Sequence, residues 1–398
     1  MRIVWTNQFA QLPDAGGGTR HIELATELYE NYGIRTTIIA ANRNYLSGKR
    51  VFERDGCYKI GGVNFCVIDV AYRPGYVRRA YSWIEFAAKL WKKGDWFKEA
   101  DIIIGSSPTL FGAYSTMKIA KKYHKPFVLE IRDLWPEILR DSGKLSDKSP
   151  VYFVLDRIAR KLYRDAHYIV TLSLGQKEYI ENFTEIPMEV VYNGMSDKIV
   201  ESLSDTKKFD GFNVVYAGAL GYANDVDTII KAAELLKNEN NIRIHILGDG
   251  PYRKKIEGAI QKGLLNLIYH GLLPKKEAFR IMAGCQVGLL TLRDIDLFRY
   301  GVSPNKLFDY LSLGLYVVST VKGEMEDILK RSGYGTTVEP ANPQILSSTI
   351  KELYDRFTRK PEMFAGKTAR EFVRNNYSRE IMAKKLFKVL NGIYTTER

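Results

Sequence analysis

Cysteine is scarce in this chain: three among 398 residues, Cys57, Cys66 and Cys285. They have neither metal-ligand nor redox-motif spacing, which points to a reducing compartment and a packing role for each. No run of about 18 apolar residues exists, so no membrane-spanning helix is expected. The amino terminus, MRIVWTNQF, reads as a first strand and not as a signal peptide. Zinc-finger spacing, RNA-binding signatures and a basic zipper are all missing, which argues against nucleic acid. An acidic residue after the second strand is missing too, and the glycine spacing after the first is not a dinucleotide fingerprint, which argues against a nicotinamide enzyme.

What is present is a basic, globular composition. The chain is 45% hydrophobic and 12% aromatic, with a formal charge of +13 and pI ≈ 9.3. Its length suits two domains, and its charge suits an anionic partner such as a phosphorylated substrate or anionic lipid. Ile3–Trp5, Gly16–Gly18, a helix with Ile22, Ala25, Leu28 and Tyr29 at helical spacing, and Thr36–Ala41 form a βαβ unit. Asp101–Gly105, Pro126–Ile131 and His167–Leu172 are further buried strands of parallel type. The second of these runs into Arg132–Glu137, at a carboxyl end of the kind where α/β sheets hold ligands.

A second α/β series starts at Asn213–Ala217 with the Gly218–Gly221 turn. It continues through Ile242–Leu247, the Gly248–Pro251 turn with a helix from Pro251 to Glu257, and Leu267–His270 and Val287–Leu292. Ser196–Asp210 between the two series is polar and reads as a linker. Near the end of the second series stands Tyr300–Gly314. Ser303 suits an N-cap and Pro304 the first helical position, so a helix is expected to carry Asn305 and Lys306 in its first turn and Asp309 one turn on. A helix start with a lysine attracts phosphate, and a carboxylate beyond it suits ribose hydroxyls, so the pattern suggests a nucleoside diphosphate site. An amphipathic helix with a well-made cap explains the same residues.

The segment Arg73–Lys98 is basic and rich in tryptophan. Taken as a helix over about 77–93, it sets Ala80, Trp83, Ile84, Ala87, Ala88 and Trp91 on one face and Ser82, Glu85, Lys89 and Lys92 opposite. Arg78, Arg79, Lys93 and Trp96 flank it. Contact with an anionic membrane surface is the favoured reading, and packing on its own domain with snorkelling lysines is the other.

Taken together, the chain resembles the GT-B glycosyltransferases of the large retaining family 4. It looks most like the branch that builds bacterial O-antigen and capsule, the WbuB-like N-acetylfucosamine transferases. The resemblance rests on the amino-terminal glycine loop with Arg20, R-D-L-W-P-E at 132–137, Y-N-G at 192–194, Y-A-G-x-L-G at 216–221, L-G-D-G-P at 247–251 and S-P-x-K-L-F-D-Y at 303–310. It implies an α/β fold of two Rossmann-like domains facing across a cleft. Residues 1–195 would bind acceptor, with a terminal helix of about 379–398 crossing back, and residues 211–378 would bind a nucleotide-sugar.

The implied function is retaining, metal-independent transfer of a hexose or N-acetylaminohexose from a UDP-sugar to a polyprenyl-diphosphate-linked saccharide. The place implied is the inner face of the cytoplasmic membrane. No cofactor is expected beyond the UDP-sugar as donor substrate. The donor site implied comprises Gly17, Gly18, Arg20, Gly218, Gly221, Gly248, Asp249, Gly250, Leu272, Leu273, Ser303, Asn305, Lys306, Asp309 and Glu324. Lys306, Asp309, Arg132, Asp133 and His21 are the candidates for the chemistry. Departures from the pattern are Gly301 and Asp309 in place of a glutamate pair, and Ala219 and Asn224 in place of a basic pair. They keep two alternatives open: a non-catalytic membrane-associated binding protein and a UDP-sugar 2-epimerase.

Overall fold

The computed structural model describes residues 1–13, 18–45, 48–72, 75–203, 206–293 and 304–396, the side chains of Tyr76, Val77 and Arg79 excepted. The chain divides into two units, Met1–Tyr192 with Arg379–Arg398, and Asn193–Ser378. In the first unit the strands are β1 (Arg2–Thr6), β2 (Arg35–Ala41), β3 (Gly56–Ile60), β4 (Val63–Ile68), β5 (Ile102–Ser107), β6 (Phe127–Ile131), β7 (Tyr168–Thr171) and β8 (Met188–Val190). They form one sheet in the order β3-β4-β2-β1-β5-β6-β7-β8, parallel except for the β3–β4 pair. The order reverses at β1, so the chain ends beyond β1 and β5 part to opposite sides and leave room for a ligand.

The second unit holds β9 (Phe212–Ala217), β10 (Ile242–Leu247), β11 (Leu267–Gly271), β12 (Val287–Leu290), β13 (Tyr316–Ser319) and β14 (Gly335–Thr337). Their order is β11-β10-β9-β12-β13-β14, all parallel, with the reversal at β9. Period-two alternation decides the faces. Ile242, Ile244 and Ile246 join Val214 and Tyr216 in one core, while His245 turns to the other face. There His245 bonds Asn213 at 3.0 Å and His270 at 2.9 Å.

Four expectations are corrected. Cys57 and Cys66 are directly opposed across the β3–β4 hairpin and form a disulfide, leaving Cys285 as the buried thiol. The expected linker contains a helix, Asp197–Glu201, and the unit boundary precedes it because Met195 already pairs with Ser378. The helix after the Gly248 turn is Arg253–Gln261, since Pro251 and Tyr252 are consumed in the turn. Pro304 stands at the N-cap, not at the first helical position, so the helix that carries Lys306 is Asn305–Ser312. The terminal helix, Arg379–Thr396, packs on the helix Arg20–Tyr32 through Arg379–Glu23 at 2.7 Å and a stacked Tyr32–Phe387 pair.

Candidate functional site

In the second unit three glycine loops meet at the carboxyl ends of β9, β10 and β11. Gly218 donates its amide to Leu247, and Gly248 donates to Gly271. The approach is so close that a Cβ at Gly248 would lie 1.8 Å from the Gly218 carbonyl, with φ at 131°. A side chain there is excluded by space as well as by conformation. Gly250 is pressed likewise against Leu220, and Gly221 caps the short turn Tyr222–Asn224.

Lys306 reaches this place from the first turn of the helix Asn305–Ser312. Its Nζ donates to Tyr216 Oη and Asn224 Oδ1, both at 2.9 Å, and lies 4.2 Å from the Tyr216 ring centre. It has no acidic partner among the described residues. Burial therefore lowers the ammonium pKa to about 7. The helix is fixed from behind by Tyr310, whose hydroxyl accepts the Ala217 amide at 2.9 Å. Asp309 lies on the same helix and is partly buried, while Asn305 is exposed. Asp249 accepts the Gly250 amide at 2.8 Å. Leu272, exposed, and Leu273, partly so, follow β11, and Glu324 opens the helix Glu324–Ser332 beyond β13. Gly17 and Ser303 lie outside the described residues.

Sequence reasoning missed Tyr216 and Asn224 as partners of Lys306. Asn224 had been noted only as the place of an absent cation. Arg293 also reaches this turn, donating to the Tyr222 carbonyl at 2.9 Å, but it is shared with Asp227 at 3.4 Å.

The first unit holds a second arrangement. Arg20 and His21 are buried, and neither faces solvent. Arg20 donates to Glu130 at 3.0 Å and to the main-chain carbonyls of Val191 and Tyr192. His21 Nε2 lies 3.0 Å from the other oxygen of Glu130, which also accepts from Ser106. Burial lowers the imidazole pKa to about 4, overriding the adjacent carboxylate. Burial opposes ionisation of Glu130, yet His21 and Arg20 hold its carboxyl well below the ordinary range. The structure thus gives Arg20 and His21 internal partners. Glu130 was missed, although an acid inside the apolar run Pro126–Ile131 was the available signal.

Directly beyond these residues opens a cavity of ≈ 340 Å³, lined by Gly18, Arg132, Asp133, Trp83 and Trp135 among others. The Arg132 guanidinium has no bonded partner among the described residues. Burial raises the pKa of Asp133, with Arg132 acting in the opposite sense. Trp83 and Trp135 meet edge to face, with centroids 5.2 Å apart.

The tryptophan-rich helix is Tyr76–Lys92, and its faces differ from those expected. Ser82, Phe86, Ala87 and Leu90 are buried, and the helix packs on Leu110–Lys122. Tyr81, Ile84 and Trp91 are exposed, as are Arg78, Lys92 and Lys93. Trp83, expected at a membrane surface, is a cavity wall, and Trp96 lies under the Lys93 ammonium. No described helix is long and apolar enough to cross a membrane.

With this geometry in place, comparisons with known proteins give a consistent picture. A glycosyltransferase family 4 model matches residues 15–198, and a model for glycosyl transferases group 1 matches residues 211–356. A probable glycosyltransferase, WbjE of Pseudomonas aeruginosa, is 24% identical over 315 residues, covering 75% of this chain and 76% of that protein. Sucrose-phosphate synthase of Thermosynechococcus elongatus superposes with a TM-score of 0.75 at 13% identity, covering 99% of both chains. Anabaena Alr3699/HepE, solved in complex with UDP-glucose, gives 0.66 at 14% identity, covering 98% of this chain and 100% of that one. The fold is the two-domain α/β fold of GT-B glycosyltransferases, and the domain matches support a glycosyltransferase.

Proposed function

We propose that this chain is a retaining, metal-independent glycosyltransferase of cell-surface polysaccharide synthesis, O-antigen or capsule. It takes a hexose or N-acetylaminohexose from a UDP-sugar, N-acetylfucosamine being the finer reading, and delivers it to a polyprenyl-diphosphate-linked saccharide. The observation that carries the proposal is Lys306, an ammonium without an acidic partner among the described residues, packed against the Gly218 loop, which in turn abuts the Gly248 loop at the ends of parallel strands. A donor diphosphate is the anion that position lacks. Its negative charge grows as the glycosidic bond breaks, so a fixed ammonium favours the transition state over bound donor. The UDP-glucose bound by the Anabaena relative favours a UDP-sugar. Asp309 is proposed to hold the ribose, Gly248–Gly250 and Leu272–Leu273 to border the base, and Glu324 to border the sugar. In the first unit, Arg132 and Asp133 are proposed to face the acceptor.

The acceptor's lipid is proposed to bring the protein to the inner face of the cytoplasmic membrane. Tyr81, Ile84 and Trp91 would enter the interface, with Arg78, Lys92 and Lys93 beside them. The test is calorimetric titration with UDP, GDP, ADP and CMP, each with and without EDTA, on wild type and Lys306→Ala. Selective UDP binding indifferent to EDTA is expected. The variant should bind UDP more weakly and lose turnover by a factor on the order of 10² while remaining folded. Turnover at the wild-type rate in Lys306→Ala would exclude that residue from the mechanism.

A further inference from the structure

The disulfide of the first unit stands where a thiol reagent can reach it and where its loss is felt at the cavity. Cys57 and Cys66 face each other one pair from the open end of the β3–β4 hairpin, the end away from the Gly61-Gly62 turn. β3 is an edge strand, and Cys57 is exposed on it while Cys66 is buried. A hairpin frays from its open end, so a bond at this pair fixes the start of β3. The rest of the hairpin has a separate anchor, since Tyr58 and Ile60 pack against the core that contains Phe65 and Val67. From the start of β3 a continuous set of bonds leads to the cavity. Asp55, two residues before Cys57, accepts the Asp69 amide at 2.7 Å and the Asn42 carboxamide at 3.2 Å. The Asp69 carboxylate takes Arg43 at 2.9 Å and Arg50 at 2.6 Å. Arg43 lines the cavity, as do its neighbours Asn44 and Tyr45 and the segment Val70–Tyr72 that follows Asp69. The clamp on β3 thus sets where Asp69 holds a wall residue.

We infer that the Cys57–Cys66 disulfide is a thiol-sensitive switch on this cavity. Oxidised, it fixes the Arg43 wall; reduced by a dithiol, it releases that wall, so occupancy of the cavity follows redox state. In the reaction a thiolate of the dithiol attacks the Cys57 sulfur, the S–S bond breaks, and Cys66 departs as a thiolate that takes a proton. The second thiol of the reagent then displaces Cys57. The protein gains two electrons and two protons, and the dithiol closes to its own disulfide. The inference rests on the proposed function for its setting. At the inner face of the cytoplasmic membrane thiol reductants are abundant, and a disulfide exposed to them acts as a sensor and not as a permanent staple.

The test uses the whole chain, equilibrated with oxidised and reduced dithiothreitol in graded ratio, then alkylated and weighed. Cys57 and Cys66 are expected to interconvert reversibly in the folded protein. Reduction should speed hydrogen exchange in peptides covering 48–56 and 67–72 by about tenfold, and should speed modification of Arg43 by phenylglyoxal. Cys57→Ala with Cys66→Ala should behave as the reduced protein and ignore dithiothreitol; reduced wild type makes the same measurement if that variant folds poorly. Asp55→Ala should show fast exchange at 67–72 and a reactive Arg43 while oxidised, with little further change on reduction, because both act through one path. A disulfide that resists the reagent in the folded protein overturns the inference. So does reduction that leaves the Arg43 rate unchanged, or an effect of reduction that simply adds to that of Asp55→Ala. UDP titration runs beside each measurement and should not respond to reduction. Failure of the oxidised wild type to bind UDP would instead sink the donor assignment, which the exchange and Arg43 rates do not use.

Discussion

Lys306 is the residue whose state depends most on what binds. Free, its ammonium has a pKa of about 7 because it is buried with only a phenol and a carboxamide as partners. A diphosphate beside it favours the charged form and raises that value. The sign follows directly. At pH 8 the free amine is mostly neutral, so UDP binding must draw a proton from solution. Affinity should then fall as pH rises above about 7, approaching tenfold per unit until the bound-state value is reached. Calorimetry in buffers of differing ionisation enthalpy measures this, with uptake approaching one proton expected at pH 8 and none in Lys306→Met. Equal uptake by the two proteins would remove Lys306 from contact with the phosphates. Gly248 is constrained in another way: its backbone touches the Gly218 carbonyl, so its role in the site is to permit an approach.

At the scale of elements, the network around Glu130 ties β1, β5 and β6 to the helix Arg20–Tyr32 just where those strands open into the cavity. Trp5 donates to Ser106 at 2.9 Å, Ser106 donates to Glu130, and Asn7 bonds His21 at 3.0 Å. Because burial depresses the folded-state pKa of His21 to about 4, the unfolded chain takes up a proton first as pH falls below about 6.5. Stability is therefore full above that pH and declines toward pH 4, by at most about 1.4 kcal/mol per unit from this group. His245, lowered to about 4 chiefly by burial, adds a similar slope in the second unit. Urea unfolding from pH 7.5 to 5 should show a shallower decline in His21→Gln than in wild type, and parallel declines would contradict this account. Little of the network was legible in advance. The strands were, because parallel strands buried on both faces read as apolar runs such as Ile102–Ile104. Arg20, Glu130 and Val191 are brought together only by sheet order, and a charge in a sequence looks the same whether solvated or buried. The β3–β4 hairpin escaped notice because its signal was short, Gly61-Gly62 between the half-exposed Gly56–Ile60 and the apolar Val63–Ile68. The disulfide it aligns escaped with it. The faces of Tyr76–Lys92 were misjudged for a related reason: Phe86 is buried against Leu110–Lys122 and Ser82 against Gln8, neighbours that periodicity alone does not name.

For the whole molecule, a charge of +13 and an exposed aromatic stripe on one helix make separable demands on a lipid surface. The charge attracts from a distance set by screening, about 10 Å at 0.1 M salt and about 3 Å at 1 M. Tyr81, Ile84 and Trp91 act only on contact, through apolar area removed from water. Each nearby Lys or Arg is worth about 1 kcal/mol at an anionic surface, so Lys92→Ser with Lys93→Ser should weaken binding by about thirtyfold. Co-sedimentation with phosphatidylglycerol vesicles therefore should fall steeply between about 0.05 and 0.5 M salt, and phosphatidylcholine vesicles should capture little. Ile84→Ser with Trp91→Ser should lower binding at every salt concentration while leaving the salt slope unchanged, because it removes area and not charge. UDP binding to the same variants should match wild type, since these residues lie in the first unit and Lys306 in the second. Vesicle binding that ignores salt, or a stripe variant that binds as wild type does, would refute the membrane-surface reading and return this helix to a packing role alone.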